Sequence, residues 1–201
     1  MTYTTLGGTD LEISRVMLGT WALGGWLWGG TDRNDPVRAI QAAIDNGMTA
    51  IDTAPVYGFG LSEELVGKAI RGRRSEVVIA TKFGLRWDVE EGSGMFETEF
   101  ADGSPARVFR HCRKASIMEE CENSLRRLGV AEIDLYQCHW PDTSSSYEDV
   151  MEACLKLQEQ GKIRAIGVSN FDVDMMTACR AVAPLASLQP QYSLLARGIE
   201  D

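Results

Sequence analysis

Apolar residues along the chain gather in short runs, separated by longer stretches with helical periodicity. "RVMLGTW" ends at Trp21, "TAIDTA" carries Asp52 and "EVVIATKF" carries Lys82. "EIDLYQCHW" carries His139, "RAIGVSN" ends at Asn170 and "ASLQPQYS" carries Gln191. Each run is short, rich in branched or aromatic residues and closed by a polar break, as expected of parallel strands buried on both faces. The stretches between them read as amphipathic helices. Asp35-Pro36 opens one with Val37, Ile40, Ala43 and Ile44 on a single face and Gly47 as its stop. Ser62 opens a second, with Glu63 and Glu64 near its free amides. "SIME" (Ser116 to Glu119) and "SSYE" (Ser145 to Glu148) read as capping boxes for a third and fourth, ending at Gly129 and Gly161. Asp172 caps a fifth that runs to about Val182.

Strand and helix alternating at this spacing predict βαβ units and a parallel sheet. A Gly-Gly turn in "TTLGGTDLEIS" predicts a small hairpin before the first core strand. Residues 84–109 break the rhythm. They are acidic, carry glycines and are too long for an ordinary connector, so they read as an inserted loop with a hairpin, placed directly after Lys82. With no linker and no fixed-period repeat, residues 1–201 read as one domain. Six core strands fall short of an eight-stranded barrel, which takes about 250 residues.

Composition narrows the function classes. With 29 acids against 20 bases the formal charge is -9, which gives no support to a phosphate-tracking surface or a basic membrane patch. The segment "MTYTTLGGTDLEIS" has neither the basic nor the apolar part of a signal peptide, and no run is long enough to span a bilayer. Cys112, Cys121, Cys138, Cys154 and Cys179 show no paired-ligand spacing and read as small apolar fillers in a reducing compartment, so the cytoplasm is the expected location. His111 and His139 are the two histidines, and no carboxylate cluster accompanies them at ligand spacing, so no metal site is expected.

Four polar groups stand at or just past successive strand ends: Asp52 with Tyr57, then Lys82, then His139. In parallel α/β folds that end is where ligands bind. Singly, each has a plain reading: Asp52 as a turn cap, Tyr57 as a packed aromatic, Lys82 as a solvated charge, His139 as a core imidazole. Together their chemistry is coherent. A phenol with an ordinary pKa of about 10 becomes a better proton donor beside an ammonium that lowers it. Lys82 supplies that charge, Asp52 holds Lys82 protonated, and His139 bonds the substrate oxygen. The set suits delivery of a proton to an oxygen that becomes negative as hydride attacks a carbonyl.

This constellation resembles the catalytic tetrad of the aldo-keto reductases. The resemblance runs through "LGTW", "IDTAPVYG", "ATKFG", "SLRRLG", "IDLYQCHWPD" and "IRAIGVSNF", nearly the whole chain. It implies a (β/α)8 barrel with an N-terminal hairpin, of which about six βα units are present, the chain being truncated relative to full-length members. It implies a reversible NAD(P)H-dependent reduction of aldehydes or ketones, with NADP as cofactor and NAD as the alternative. Tyr57 would be the general acid, Lys82 and Asp52 would tune it, and His139 would position the carbonyl. Thr20, Trp21, Asp52, Ser169, Asn170 and Gln191 would contact cofactor, and Trp21, Tyr57, His139 and Trp140 would line the substrate pocket. Trp26, Trp28 and Trp87 lie in neighbouring strand-end loops, where pocket lining and lid packing are both open. The bacterial-type branch with the potassium-channel β subunits is the nearest in pattern. A nicotinamide-binding regulatory subunit, or an inactive fragment, is therefore the alternative. No Rossmann fingerprint is present; "GFGLSE" from Gly58 reads as a turn that needs permissive backbone angles.

Overall fold

A computed structural model describes residues 1–28 and 34–200. β1 (Tyr3–Thr5) and β2 (Glu12–Ser14) pair antiparallel around the Gly-Gly turn, as the sequence predicts. β3 (Leu18–Gly19), β4 (Ala50–Asp52) and β5 (Val78–Phe83) begin the main sheet. The chain then leaves it for β6 (Leu85–Arg86), β7 (Ser93–Glu99) and β8 (Pro105–Arg110), which form a separate antiparallel sheet in the order β6-β8-β7. β9 (Ile133–Cys138), β10 (Ile163–Ser169) and β11 (Ser187–Gln189) return to the main sheet, whose order is β11-β10-β9-β5-β4-β3, all parallel. Among the described residues this is a (β/α)8-type barrel with six of its strands.

Outside the sheet run α1 (Asn34–Asp45), α2 (Leu61–Ala69), α3 (Lys114–Leu128), α4 (Tyr147–Glu159) and α5 (Val173–Arg180), each packed on the next. Ile40, Val66, Ile117 and Met151 from the helices share one core with Ile51, Ile79, Ile133 and Ile166 from the strands. That shared burial of apolar area is the main force holding helices to sheet. On the inner face Ala80, Leu135 and Ala165 meet Leu6 and Leu11 of the hairpin. The hairpin is further tied by an ion pair from Asp10 to Arg164 at the start of β10, so it sits at the N-terminal end of the strands. The opposite end is left open to carry chemistry. Among the described residues no helix is long and apolar enough to cross a membrane.

The helix starts differ in detail from the sequence reading. Ser62 and Ser116 lie inside α2 and α3 and are buried, because each turns its hydroxyl toward the core instead of capping: Ser62 bonds Thr20 and Thr53, and Ser116 receives Arg86 at 2.8 Å. Ser146, one residue later than expected, caps α4 by accepting from the Asp149 amide. Asp172 caps α5 as predicted, accepting from Met175, although the helix stops at Arg180.

Two contacts fix the strand ends that matter. Gly58 has a left-handed φ of 66°, and a Cβ there would come within 2.3 Å of the Gly24 carbonyl oxygen. The loop after β4 is therefore seated on the loop after β3. Gly58→Ala should combine backbone strain with a clash and cost roughly 1–3 kcal/mol of stability by chemical denaturation.

The second contact is the buried Glu120 carboxyl of α3, which accepts from the Gly84 amide at 3.0 Å, just past the end of β5. Burial pushes its pKa up to about 8, against the lowering by Arg86 and the Gly84 amide. The native state thus holds a proton that the unfolded chain releases near the ordinary glutamate value. Stability from this group is complete below about pH 4.5 and is lost as pH rises through about 8. In a pH series of thermal unfolding, wild type should lose on the order of 5 kcal/mol across that window, and Glu120→Gln should flatten the slope.

Candidate active site

Sheet register brings the polar strand ends together. Asp52 lies beside Ala80, Lys82 beside Gln137, Phe83 beside Cys138, and Ser169 beside Gln189. β9 therefore ends at Cys138, one residue past the level of Lys82, with His139 next, while β4 ends at Asp52, level with Ala80 and two residues short of Lys82. All of this follows from a chain whose strands are short and in-phase.

Lys82 is buried, at 1% exposure, and its ammonium donates to both Asp52 oxygens at 2.8 and 2.9 Å. It donates also to the Thr53 carbonyl at 2.9 Å and to the Tyr57 hydroxyl oxygen at 3.3 Å. Burial by itself opposes the charge on Lys82, but the charges and hydrogen bonds of Asp52 and Tyr57 outweigh it and hold the pKa above the ordinary lysine value. The plain reading of Lys82 as a solvated charge is thus excluded. Tyr57 lies with its ring 5.7 Å from the His139 ring, edge to face, and 5.8 Å from the Trp21 ring, stacked. Since its oxygen accepts from Lys82, its proton is free to point elsewhere.

The net shift on Tyr57 departs from expectation. Burial raises its pKa more than Lys82 lowers it, and Asp52 adds to the rise, so the phenol ends above its usual value. Burial, reinforced by the Lys82 charge, holds the His139 imidazole well below its ordinary range, so it is neutral at pH 7. The pocket thus offers a protonated phenol and an uncharged imidazole around one buried cation.

The remaining expected residues are placed less uniformly. Ser169 donates to the Gln189 carbonyl at 2.8 Å, and the Asn170 amide nitrogen donates to the His139 carbonyl at 2.9 Å. Asn170 adopts a left-handed φ of 61°, which Asn tolerates better than most residues. Gln191 is not in the sixth strand: β11 ends at Gln189, and Gln191 lies exposed beyond Pro190. Gln189, two residues earlier, occupies the strand position and receives the Gln137 amide at 3.1 Å. Thr20 is fully buried and gives its hydroxyl to the Asp52 carbonyl at 3.0 Å, so its side chain braces β3 against β4. Trp21 and Trp140 are partly exposed at the mouth, at 40% and 38%. Trp26 packs on Phe59 and Phe96, and Trp87 on Phe59, so these two join the loops to the β6-β8-β7 sheet. Trp28 is more exposed and meets Trp21 edge to face.

Several residues that hold the site carry no sequence signal of that role. Ser62 links Thr20 and Thr53 by hydroxyl contacts at 2.7 and 3.0 Å. Glu63, which reads as an acid favoured by the helix dipole, is fully buried and accepts from Thr81 and Arg127, each at 2.6 Å. Both brace the backbone flanking Asp52 and Lys82. Only their position on the inner side of α2 could have marked them.

Residues 15–201 match the model of the Aldo/keto reductase family. The aldo-keto reductase YhdN of Bacillus subtilis (strain 168) is 49% identical over all of this chain and 56% of its own length. The glycerol dehydrogenase AKR11B4 from Gluconobacter oxydans superposes with a TM-score of 0.85 at 47% identity, covering 98% of this chain and 57% of that one. An aldo-keto reductase from Klebsiella pneumoniae in complex with NADPH gives a TM-score of 0.78 at 36% identity, covering 100% and 62%. The chain thus spans somewhat over half the length of the relatives it matches. With the barrel and the Asp52-Lys82-Tyr57 network at its strand ends in agreement, this chain belongs to the aldo/keto reductase family.

Proposed function

We propose that the protein carrying this chain reduces aldehydes or ketones to alcohols, reversibly, with NADP(H) as cofactor and NAD(H) as the alternative. The observation that carries this reading is the Lys82 ammonium, 2.8 Å from Asp52 and 3.3 Å from the Tyr57 oxygen, at the mouth of the barrel. Reduction requires a proton for the carbonyl oxygen, and Tyr57 holds one. As that oxygen gains negative charge, Tyr57 donates its proton, and Lys82 stabilises the phenolate left behind. His139, neutral, orients the carbonyl oxygen toward Tyr57. In the oxidative direction Tyr57 takes the proton back.

The residues present suit a nicotinamide carboxamide. The Asn170 nitrogen and the Gln189 oxygen are engaged within the protein, and among the described residues the Asn170 oxygen and the Gln189 nitrogen have no partner. One acceptor and one donor are what a primary carboxamide needs. Ser169, Asn170 and Gln189 would hold that carboxamide near Asp52, and the reduced nicotinamide ring that bears it would supply the hydride. Trp21, Tyr57, His139 and Trp140 form the substrate end. Within the family we place the chain in the bacterial-type branch that includes the potassium-channel β subunits, on the runs Ile51–Gly58 and Ile163–Phe171. The five free, buried cysteines suit a reducing compartment such as the cytoplasm.

In the full polypeptide, Tyr57→Phe should lower kcat for carbonyl reduction by at least about 100-fold while cofactor affinity, read by fluorescence titration, stays nearly intact. Unchanged turnover would remove Tyr57 from the chemistry, and slow stoichiometric cofactor oxidation in wild type would favour a regulatory role. The raised phenol pKa sets the pH profile. Reductive kcat/KM should stay level through neutrality and fall only above about pH 10, as Tyr57 loses its proton.

A further inference from the structure

The antiparallel sheet after β5 presents one charged side chain on the face that packs toward the site. Ala106 and Val108 of β8 are buried, and residues two apart along a strand share a face, so Arg110 emerges on that side. In register it lies opposite Leu85. Leu85 and Val108 pack with Ala54, Val56 and Tyr57 in one cluster. The Arg110 guanidinium carbon stands 4.9 Å from the centre of the Trp140 ring, and Trp140 directly follows His139. Arg110 is therefore at the substrate end of the mouth, one aromatic ring from the imidazole that faces Tyr57.

Of the arginines in or beside this sheet, Arg86 pairs with Asp88 and Glu119 and Arg113 with Glu91, whereas Arg107, exposed on the other face of β8, and Arg110 have no ion pair among the described residues. Acids outnumber bases 29 to 20, yet among the described residues the Arg110 side chain makes no hydrogen bond or ion pair and is half-buried. Stacking on Trp140 occupies one face of the guanidinium and holds its plane, leaving the N–H edge to act as a fork. A fork of that kind pairs two N–H groups with two oxygens of a carboxylate or phosphate.

We propose that Arg110 binds an anionic oxygen group of the substrate, so that the carbonyl compound taken by this site carries a carboxylate or phosphate. The inference rests on the carbonyl-reductase reading above. Asp52 is neutralised by Lys82, and the buried Asp142 carboxylate two residues past Trp140 is taken up by Ser93, Ser144 and the Cys112 amide, which leaves Arg110, unpaired among the described residues, as the cation on the Trp140 ring. Anion capture at Arg110 would orient the carbonyl carbon over Tyr57 and His139 with binding energy from a group remote from the reaction.

Steady-state reduction by the full polypeptide, with saturating NADPH or NADH, tests this on two pairs of substrates: 4-oxobutanoate against butanal, and glyceraldehyde 3-phosphate against glyceraldehyde. Wild type should prefer the charged member of at least one pair, and which pair responds distinguishes carboxylate from phosphate. Arg110→Ala should raise KM for the preferred anion about 10–100-fold and leave the neutral aldehyde within about threefold, the latter also reporting that the variant folds. Arg110→Lys, which keeps charge but loses the fork, should recover part of the loss. Equal kcat/KM within both pairs in wild type, or an equal loss on charged and neutral aldehydes in Arg110→Ala, overturns the inference alone. No turnover of any of the four aldehydes overturns the reductase reading and the inference with it.

Discussion

A lysine ammonium buried at the end of β5 is the constraint on which the rest of the site depends. Removing such a charge from water costs several kcal/mol unless an opposite charge and further acceptors meet it. Asp52, the last residue of β4, and the carbonyl of Thr53 just after it do so, so the pair also joins two neighbouring strands at their ends. Deleting either partner would leave the other charge buried and unpaired, which is far more costly than losing a surface ion pair. The hydroxyls of Thr20 and Ser62 and the buried Glu63-Arg127 pair secure the backbone on either side. Much of the polar content of this core exists to keep that one interaction in place.

The same charge sorts the protonation states around it. It works against a proton on His139 and so reinforces what burial already does, leaving the imidazole neutral. It works in the opposite sense to burial on Tyr57, and there burial prevails. The result is a phenol that keeps its proton through neutrality, beside a cation placed to stabilise a phenolate. Catalytic power would then come from charge developing in the reaction, not from a permanently ionised phenol.

The antiparallel β6-β8-β7 sheet changes how the mouth is understood. Residues 84–109 read from sequence as an inserted loop with a hairpin, but their acidic, glycine-bearing composition hides that β6 joins the β7–β8 pair to make a three-stranded sheet. Folded, they run to Arg110 and lay Leu85 and Val108 on the Tyr57 loop, while Phe96 and Phe100 join Trp26 and Phe59. A wall of aromatics thus spans elements far apart in sequence. Arg110 lies on this wall as its polar exception, and only pairing with Leu85 reveals which way it faces.

What the sequence by itself determined was the order of strands and helices, the buried parallel character of the sheet and the identities of Asp52, Tyr57, Lys82 and His139. Those are legible because periodicity is local and because strand ends in such a fold point to one rim. It also marked Asp172 as a cap, since that role is settled within one turn of helix. Tertiary structure alone decided whether a hydroxyl or carboxylate capped a helix or turned inward. Ser62, Glu63 and Ser116 have the local chemistry of helix starts, yet partners from distant strands and helices claimed them. It likewise decided that Gln189, not Gln191, stands in the sixth strand, because register with Ser169 is a pairing between strands. The net shift on Tyr57 belongs to the same class: charge partners can be named from sequence, but burial is a property of the packed whole.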